Sequence, residues 1–238
     1  MKKKILAIAL AIAVIAMMVG GSLAYFTAED EVTNTFTIGS VKIEIYENDE
    51  PTPDAENPLG TLVPVVDMTN PSGDESYIDK VVDVKNTGAN AAYIRTHIAV
   101  PTALVPYLYL DLDVTGWAPL GETTTVDPAG YTVYSFDYLS EVAPGDFTTE
   151  LLKGVYLGSN VDLEADANGD LVFILRDLQT GEKIDDSGFV AHTNNGNGTY
   201  TSTTVNILVA SQAIQTAGFS DAQSALESGF GVGTNPWQ

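Results

Sequence analysis

Hydrophobic and polar residues alternate along much of this chain with the two-residue period of a β-strand. Before Gly39 the apolar residues of the first clear pattern fall on even positions: Val32, Phe36 and Ile38. After Gly39 the apolar residues fall on odd positions: Val41, Ile43 and Ile45. Because a shift of one residue changes which side of a strand is buried, segments 25–38 and 41–46 need not belong to the same sheet.

Further short apolar or alternating segments are separated by turn sequences rich in glycine, proline, asparagine and aspartate. They predict strands over 62–66, 77–84, 92–100, 104–112, 130–138, 151–156, 161–164, 171–178 and 200–210, with Trp117 in a loop. Residues 220–227 predict one helix, and residues 228–238 predict a loose end. The fold class is therefore all-β, an antiparallel two-sheet jelly-roll-like sandwich with a short C-terminal helix.

The first 24 residues have the features of an export signal. Three lysines precede an uninterrupted apolar run over residues 5–19, which is shorter than the roughly 20 residues that span a bilayer. Small residues at Ser22 and Ala24 predict cleavage between Ala24 and Tyr25. An uncleaved membrane anchor is the alternative interpretation. The prediction is a signal peptide followed by one sandwich domain over 25–238, with no membrane span after cleavage.

Charge and cysteine content narrow the possible partners and chemistry. Ten Lys and Arg residues face 32 Asp and Glu residues, a formal net charge of −22. Loss of the signal peptide removes three lysines and no acid, which lowers this charge from −22 to −25. Such a surface repels nucleic acid and anionic lipid, so neither is an expected partner, and it attracts cations. The absence of cysteine excludes disulfides, thiolate catalysis and cysteine-based zinc sites.

Sequence motifs of catalytic sites are also absent. The two histidines, His97 and His192, are far apart, and neither belongs to an HExxH motif or another metal-ligand spacing. No GxSxG motif, Walker loop or GxGxxG fingerprint occurs. The sequence therefore predicts a protein that is not an enzyme and has no bound organic cofactor.

One acidic turn resembles the first half of a calcium-binding loop. Oxygen-bearing side chains recur at alternate positions: Glu164, Asp166, Asn168 and Asp170. Gly169 takes the sixth position, but Leu175 stands where a bidentate acid is expected. A hairpin turn is therefore the leading interpretation. These four residues remain candidate ligands for calcium, bound between acidic loops of neighbouring subunits.

Aromatic residues at Tyr134, Phe136 and Tyr138 alternate along one predicted strand. Such a row either presents rings to a sugar or packs in a core or a subunit interface. Packing is the leading interpretation, because most aromatic rows of this kind are buried.

Four stretches carry a resemblance to a known family. They are LAYFTAEDEVTNTFTIGSVKIEI at 23–45, VVDVKNTGANAAYIRTHIAVP at 81–101, VAPGDFTTELLKGVYL at 142–157 and VNILVASQAIQTAGF at 205–219. Their order and spacing resemble the TasA/camelysin family of exported proteins, whose signal peptides are removed by a dedicated signal peptidase of the SipW type. The resemblance implies a jelly-roll sandwich, secretion, and assembly into extracellular matrix fibres or surface filaments. Some camelysin-type relatives are described as metallopeptidases, but this sequence lacks residues that would support that activity.

The resemblance also implies that the mature N-terminal segment, 25–38, passes to a neighbouring subunit and completes a sheet there. The positions that would carry this assembly are Tyr25, Phe26, Val32, Phe36, Ile38 and the break at Gly39. The alternative is that the segment is the first strand of its own sandwich. Two other functions remain open: a monomeric cell-surface adhesin or carbohydrate-binding sandwich, and a secreted metallopeptidase.

Overall fold

The computed structural model describes residues 27–30, 41–51, 59–123, 130–232 and 236–237. Within these residues there are fourteen β-strands, two 3-10 helices at Pro71–Gly73 and Thr102–Leu104, and one α-helix, α1, at Ala222–Phe230. The strands are β1 Thr27–Asp30, β2 Ile43–Glu47, β3 Glu50–Pro51, β4 Ile78–Asn86, β5 Ala92–Pro101, β6 Leu108–Leu112, β7 Trp117–Thr123, β8 Tyr131–Tyr138, β9 Leu152–Leu157, β10 Val161–Ala165, β11 Leu171–Arg176, β12 Lys183–Asn194, β13 Tyr200–Ser202 and β14 Leu208–Gln215.

These strands form three antiparallel sheets. Sheet 1 has the order β1-β14-β5-β8-β7, sheet 2 the order β3-β2-β4-β9-β6, and sheet 3 the order β10-β11-β12-β13. The predicted all-β antiparallel sandwich with a short C-terminal helix is confirmed. Sheet 3 is an addition to the two sheets that the alternation of residues predicts.

Sheets 1 and 2 pack face to face over an apolar core. On β5, Ile94 and Ile98 are fully buried on the side that faces sheet 2, as their alternation predicts. Val82 and Val84 of β4 meet them from sheet 2 and are likewise fully buried. This period-2 pattern fixes the register, because a slip of one residue would turn the polar side of each strand inward.

Sheet 3 extends the same core. Phe173 of β11 and Ala191 of β12 belong to the buried cluster that also contains Leu104 and Val209. The side of sheet 3 away from the core is polar and charged, and half of the residues of β12 are exposed. The third sheet therefore adds apolar packing without forming a separate core.

The helix α1 covers part of the other face of sheet 1. Asp221 caps its N-terminus by accepting a hydrogen bond from the backbone N–H of Ser224 at 2.8 Å. Leu226 and Phe230 are buried in a cluster that includes Ile214 of β14. None of the helices in the described part of the chain is long and apolar enough to cross a membrane.

The helix ends later than the sequence predicts. The pattern of residues places its end at Glu227 and a loose end over 228–238. In the structure the helix continues through Phe230, which is buried, and ends at Gly231, whose backbone N–H donates to the carbonyl of Glu227 at 2.9 Å. Burial of one aromatic side chain extends the helix by most of a turn.

Four strand predictions need correction. Residues 62–66 do not form a strand, and Pro64 makes only an isolated β-bridge with Leu157. Trp117 begins β7 instead of lying in a loop, although Pro119 and a positive φ of 91° at Gly121 interrupt the regular pattern there. The polar sequence of β12 gives no alternation, so this twelve-residue strand is not predicted. The single strand predicted over 200–210 is two strands in different sheets, because β13 ends at Ser202 and β14 begins at Leu208.

Candidate assembly site

Strand β14 presents two different rows of side chains to the two sides of sheet 1. Val209 and Ala213 are buried in the core between the sheets. Ser211 lies between them in the same row, and its hydroxyl oxygen is 2.9 Å from that of Thr96. On the opposite side, Ile214 packs beneath α1. The edge of β14 therefore borders directly on the core of the sandwich.

A short strand covers part of this edge. β1, Thr27–Asp30, is antiparallel to β14 in the same chain, with Thr27 opposite Ile214 and Asp30 opposite Ser211. β14 has eight residues and β1 has four. On this side, none of the described strands is paired with residues 208–210 of β14. Within the described residues, four of the eight residues of β14 are thus paired with β1.

The register of β1 against β14 shows which residues of the N-terminal segment lie opposite the inward row of β14. Ala28 lies opposite Ala213, so even-numbered positions of the N-terminal segment fall opposite the inward row of β14. The acidic position in this even-numbered series, Asp30, falls opposite Ser211, which is the polar member of that row. Apolar and polar positions therefore correspond in the inward row, whereas in the other row Thr27 lies opposite the apolar Ile214.

All of the predicted assembly and cleavage positions lie outside the described residues: Ala24, Tyr25, Phe26, Val32, Phe36, Ile38 and Gly39. Of the predicted donor segment, the structure describes the backbone of β1 alone. Its pairing with β14 of its own chain corresponds to the alternative in which the segment is the first strand of its own sandwich. A strand donated by a neighbour would use the same edge of β14, because exchange of an identical element between subunits keeps its contacts.

Apart from β6, the five-residue strand at one edge of sheet 2, the other sheet edges in the described part of the chain are less suited to accept a strand. β3 has two residues and includes Pro51, and β13 has three residues. β7 contains Pro119 and a register shift against β8. β10 carries Asp162 and Glu164, which pair with Arg176. Short length, proline, bulges and charge are the common protections of sheet edges against association.

A buried polar cluster lies on the side of sheet 1 that α1 covers. The guanidinium of Arg95 donates two hydrogen bonds to the carboxylate of Asp137, at 2.6 and 3.0 Å, across neighbouring strands. The Arg95 side chain is fully buried and that of Asp137 is 2% exposed. A third donor of Arg95 reaches the carbonyl oxygen of Gly231 at 2.7 Å. This arginine therefore ties the end of α1 to the sheet.

His97 is the second member of this cluster and is fully buried on the sheet. Its Nε2 donates to the Gln212 side-chain carbonyl at 3.2 Å, which leaves Nδ1 to accept a hydrogen bond from the Ser135 hydroxyl at 2.7 Å. The indole ring of Trp237 lies edge-on, with 6.4 Å between ring centroids. Burial, and to a smaller extent the charge of Arg95, lower the pKa of His97 to about 4, against the hydrogen bond to Gln212, which raises it. The ring is therefore neutral at pH 7.

The candidate calcium ligands lie at the β10–β11 hairpin, but their oxygens have other partners. Glu164 accepts hydrogen bonds from Lys183 and Arg176. Asp166 accepts from the backbone N–H groups of Asn168 and Asp170 at 2.8 and 2.9 Å, which shapes the turn. Asp170 accepts from the backbone of Asn194. Among the described residues, no group of three or more His, Asp or Glu side chains is arranged to hold a metal ion.

The predicted aromatic row packs in the core. Phe136 is 4% exposed, and Tyr134 and Tyr138 pack against the same core cluster, so the packing interpretation of this row is confirmed. A different aromatic row, which the sequence does not reveal, lies on the outer face of sheet 2: Tyr77, Tyr109 and Tyr156. Because these residues come from three separate segments, only the pairing of strands brings them together.

Comparisons with protein-family models, with characterised proteins and with solved structures find no match to this chain.

Proposed function

We propose that this chain is an exported structural subunit of extracellular fibres or surface filaments, and that each subunit completes sheet 1 of its neighbour with its N-terminal segment. The observation that carries the proposal is the edge of β14, which borders the core and which β1 covers over four of eight residues. The edge of a sheet is a template for a strand from another chain wherever its backbone N–H and C=O groups are unpaired. Backbone hydrogen bonds would supply affinity, and side chains of alternate residues would supply register.

The sequence of the N-terminal segment suits this edge. Continuing the register of β1 by two residues would set Val32 opposite Val209, which is buried in the core. Phe36 and Ile38 have the same even numbering as Val32, so the apolar side of the segment would turn toward sheet 2. A strand longer than β1 would thus cover more of β14 with a matching apolar pattern.

Head-to-tail donation of a strand leads to a filament. The donor segment and the β14 edge are different surfaces of the subunit, so the contact does not close on itself unless a ring forms. In the precursor the donor segment would follow directly on the signal peptide, and cleavage before Tyr25 would free it. Export by a dedicated signal peptidase would then restrict assembly to the outside of the cell.

Cysteine cross-linking tests the strand exchange, because the natural chain has no cysteine. Ala28 and Ala213 lie directly opposite across β1 and β14. Opposed residues of antiparallel strands are close enough for a disulfide. Two single variants of the chain beginning at residue 25, Ala28→Cys and Ala213→Cys, would be mixed, assembled and oxidised. Donation between chains predicts a disulfide-linked heterodimer on a non-reducing gel.

A register control accompanies this test. Replacing Ala213→Cys by Gln215→Cys moves the cysteine two residues along β14, and the yield of heterodimer should fall sharply. The double variant Ala28→Cys/Ala213→Cys should give a ladder of linked chains under assembling conditions. A double variant that forms only an internal disulfide, together with fibres that persist after deletion of residues 25–38, would contradict the proposal.

A further inference from the structure

The loop at the tip of the β12–β13 hairpin contains the one Asn-x-Ser/Thr sequence in this chain whose middle residue is not proline: Asn197-Gly198-Thr199. Such a sequence is the acceptor for N-linked glycosylation in exported chains. The two strands pair as far as Asn194 opposite Tyr200, so all three residues lie in the loop between them. Every residue of this loop is exposed. The acceptor sequence therefore lies where a transferase can reach it.

The carboxamide group of Asn197 is oriented by Thr199. Its Oδ1 accepts hydrogen bonds from the backbone N–H of Thr199 at 3.0 Å and from the hydroxyl group of the same residue at 2.7 Å. The Nδ2 group of Asn197 donates no hydrogen bond to any residue in the described part of the chain. The oxygen is thus held by two donors, while the nitrogen faces solvent.

This arrangement suits the chemistry of glycosyl transfer to an amide. The lone pair of a carboxamide nitrogen is delocalised into its C=O group, so the nitrogen becomes nucleophilic only as it loses a proton. Negative charge then develops on the carboxamide oxygen, and hydrogen-bond donors directed at that oxygen stabilise it. The hydroxyl group of Thr199 is one such donor, and the hairpin already holds it against the oxygen of Asn197.

The other asparagines of this turn are engaged differently. The Nδ2 group of Asn195 donates to the Thr199 hydroxyl at 2.9 Å, so this nitrogen is occupied. The Oδ1 atom of Asn194 accepts from the backbone N–H of Gly196 at 2.9 Å. Among the described residues of the turn, Asn197 combines two donors on the carboxamide oxygen with an Nδ2 group that has no partner.

Glycines on both sides of Asn197 leave its surroundings open. Gly196 and Gly198 have positive φ angles of 74° and 83°, a backbone conformation that favours glycine. A Cβ atom on either glycine would meet no atom of the described residues within 4 Å. The tip of the hairpin is therefore free of neighbouring side chains that would obstruct a large enzyme.

We propose that Asn197 carries an N-linked glycan in the exported chain. The co-substrate would be an oligosaccharide on a lipid pyrophosphate. The Nδ2 group loses one proton to a basic group of the transferase and forms a bond to C1 of the first sugar. The bond between C1 and the pyrophosphate oxygen breaks, and the lipid pyrophosphate leaves with the electron pair. This inference rests on the export that is part of the proposed function, because such transferases act on chains that cross a membrane.

The glycan would also protect a sheet edge. The loop joins strands of sheet 3, whereas the edge of β14 belongs to sheet 1. It leads directly into β13, a three-residue strand at the edge of sheet 3. A bulky, hydrophilic glycan beside β13 would hinder pairing of that edge with another strand, in addition to the protection that its short length gives.

Mass spectrometry of the protein recovered from outside the cells that produce it tests the proposal. The peptide that contains Asn197 should carry the mass of a glycan, and the variant Asn197→Gln should lose that mass completely. Thr199→Ala should lose it as well, because the hydroxyl donor is removed, whereas Thr199→Ser keeps a hydroxyl group and should remain modified. Asn195→Gln is the matched control in the same loop, outside the acceptor sequence, and should be modified like the natural chain.

A transfer assay in vitro tests the folded acceptor without export. The chain beginning at residue 25 would be incubated with a purified single-subunit oligosaccharyltransferase that requires only Asn-x-Ser/Thr, and with chitobiose on a polyprenyl pyrophosphate. The intact mass should rise by one disaccharide in the natural chain and should not change in Asn197→Gln. A short peptide with the same acceptor sequence shows that the enzyme is active. No transfer to the folded chain, with the peptide modified, would overturn the proposal.

The outcomes separate this inference from the proposed function. Exported protein that begins at Tyr25 and has an unmodified Asn197 would overturn the glycosylation site and leave the filament proposal standing. A precursor that stays inside the cell with residues 1–24 and without a glycan would overturn both. A glycosylated chain that fails the cross-linking test between Ala28→Cys and Ala213→Cys would support the glycosylation site and contradict strand exchange alone.

Discussion

The buried ion pair of Arg95 and Asp137 is the single side-chain interaction whose loss should destabilise this fold most. Its two hydrogen bonds are short, both side chains are almost fully buried, and the pair also anchors the carbonyl of Gly231. Removing one partner leaves an uncompensated charge in a region from which water is excluded. Substitution of either residue of this pair should therefore cause a large loss of stability.

We expect Asp137→Ala to lower the free energy of unfolding by about 3–5 kcal/mol, because Arg95 would remain buried without its counter-charge. Urea unfolding followed by circular dichroism measures this change. The matched control is Glu44→Ala, which breaks the exposed pair of Lys42 and Glu44, with side chains 68% and 37% exposed. The control should change stability far less, since exposed ion pairs contribute little.

The buried imidazole of His97 makes stability depend on pH. Its pKa is lowered to about 4 in the folded chain, against about 6.5 in an unfolded chain. The folded state therefore favours the neutral ring. The contribution to stability is complete above pH 6.5 and is lost as the pH falls toward 4, by about 3 kcal/mol at pH 4.

The variant His97→Gln should be less stable than the natural chain at pH 7 but should lose less stability between pH 6.5 and pH 4. Urea unfolding at half-unit pH steps gives the slope of unfolding free energy against pH for each protein. The difference between the two slopes isolates His97 from the acids that titrate in the same range. The groups that face the ring are Arg95, Ser135, Gln212 and Trp237. Equal slopes for the two proteins would show that protonation of the His97 ring does not lower the free energy of unfolding.

At the scale of elements, alternation predicts those strands that have one apolar and one polar side. The inward positions of β5 and the strands β8, β9 and β11 follow from the sequence within a few residues. β12 is not predicted, because its first six residues are mostly polar and exposed and give no apolar row. The separation of β13 from β14 is hidden for the opposite reason, since both segments and the residues between them have strand-like sequences.

The candidate sites show the same limit. The hairpin at Asp166–Asp170 is local, and its turn residues predict it. Three other features each join segments that are distant in sequence. They are the pairing of Ala28 with Ala213, the ion pair of Arg95 with Asp137, and the row of Tyr77, Tyr109 and Tyr156. Their partners depend on the order of strands in a sheet, which residue patterns do not specify.

Removal of the N-cap of α1 tests how much Asp221 contributes to the stability of the helix. Asp221→Ala removes the acceptor for the Ser224 backbone N–H, and we expect the melting temperature to fall by about 2–4 °C. The backbone hydrogen bond from Ser224, together with side-chain hydrogen bonds to Ser220 and Ser224, lowers the pKa of Asp221. The cap is therefore lost as the pH falls, and the variant should differ least in acid. Gln223→Ala, which removes a contact with the exposed Glu227, is the control with a smaller expected change.

Amide hydrogen exchange shows which parts of the Asp221→Ala variant lose protection. Exchange in α1 should accelerate in Asp221→Ala, while β5 and β8 in sheet 1 keep their protection. Uniform acceleration across the sheet would instead indicate that α1 and the sandwich open as one unit.

For the whole molecule, the outer faces of the two main sheets differ. Sheet 1 is covered in part by α1 and carries a buried polar cluster there, whereas sheet 2 presents partly exposed aromatic residues on its outer face. The edge of β14 belongs to the covered sheet. In a filament joined through that edge, the outer face of sheet 2 and its aromatic residues would remain on the surface of the polymer.

The high negative charge opposes such assembly and makes it sensitive to salt. Subunits with a formal charge of −25 after loss of the three N-terminal lysines repel one another over the Debye length, which is about 30 Å at 0.01 M salt and about 8 Å at 0.15 M. We expect the chain beginning at residue 25 to assemble faster at the higher salt concentration. Turbidity and negative-stain electron microscopy at the two concentrations measure this.

Calcium chloride and sodium chloride at equal ionic strength separate screening from specific binding. Equal rates of assembly would leave charge screening as the full explanation. A faster rate in calcium that a chelator reverses would point to bound ions, and Asp166→Asn with Asp170→Asn then tests the β10–β11 hairpin, because these acids are the candidate ligands there. A rate that falls as salt rises would contradict the role given to repulsion, since apolar and backbone pairing along β14 is not weakened by screening.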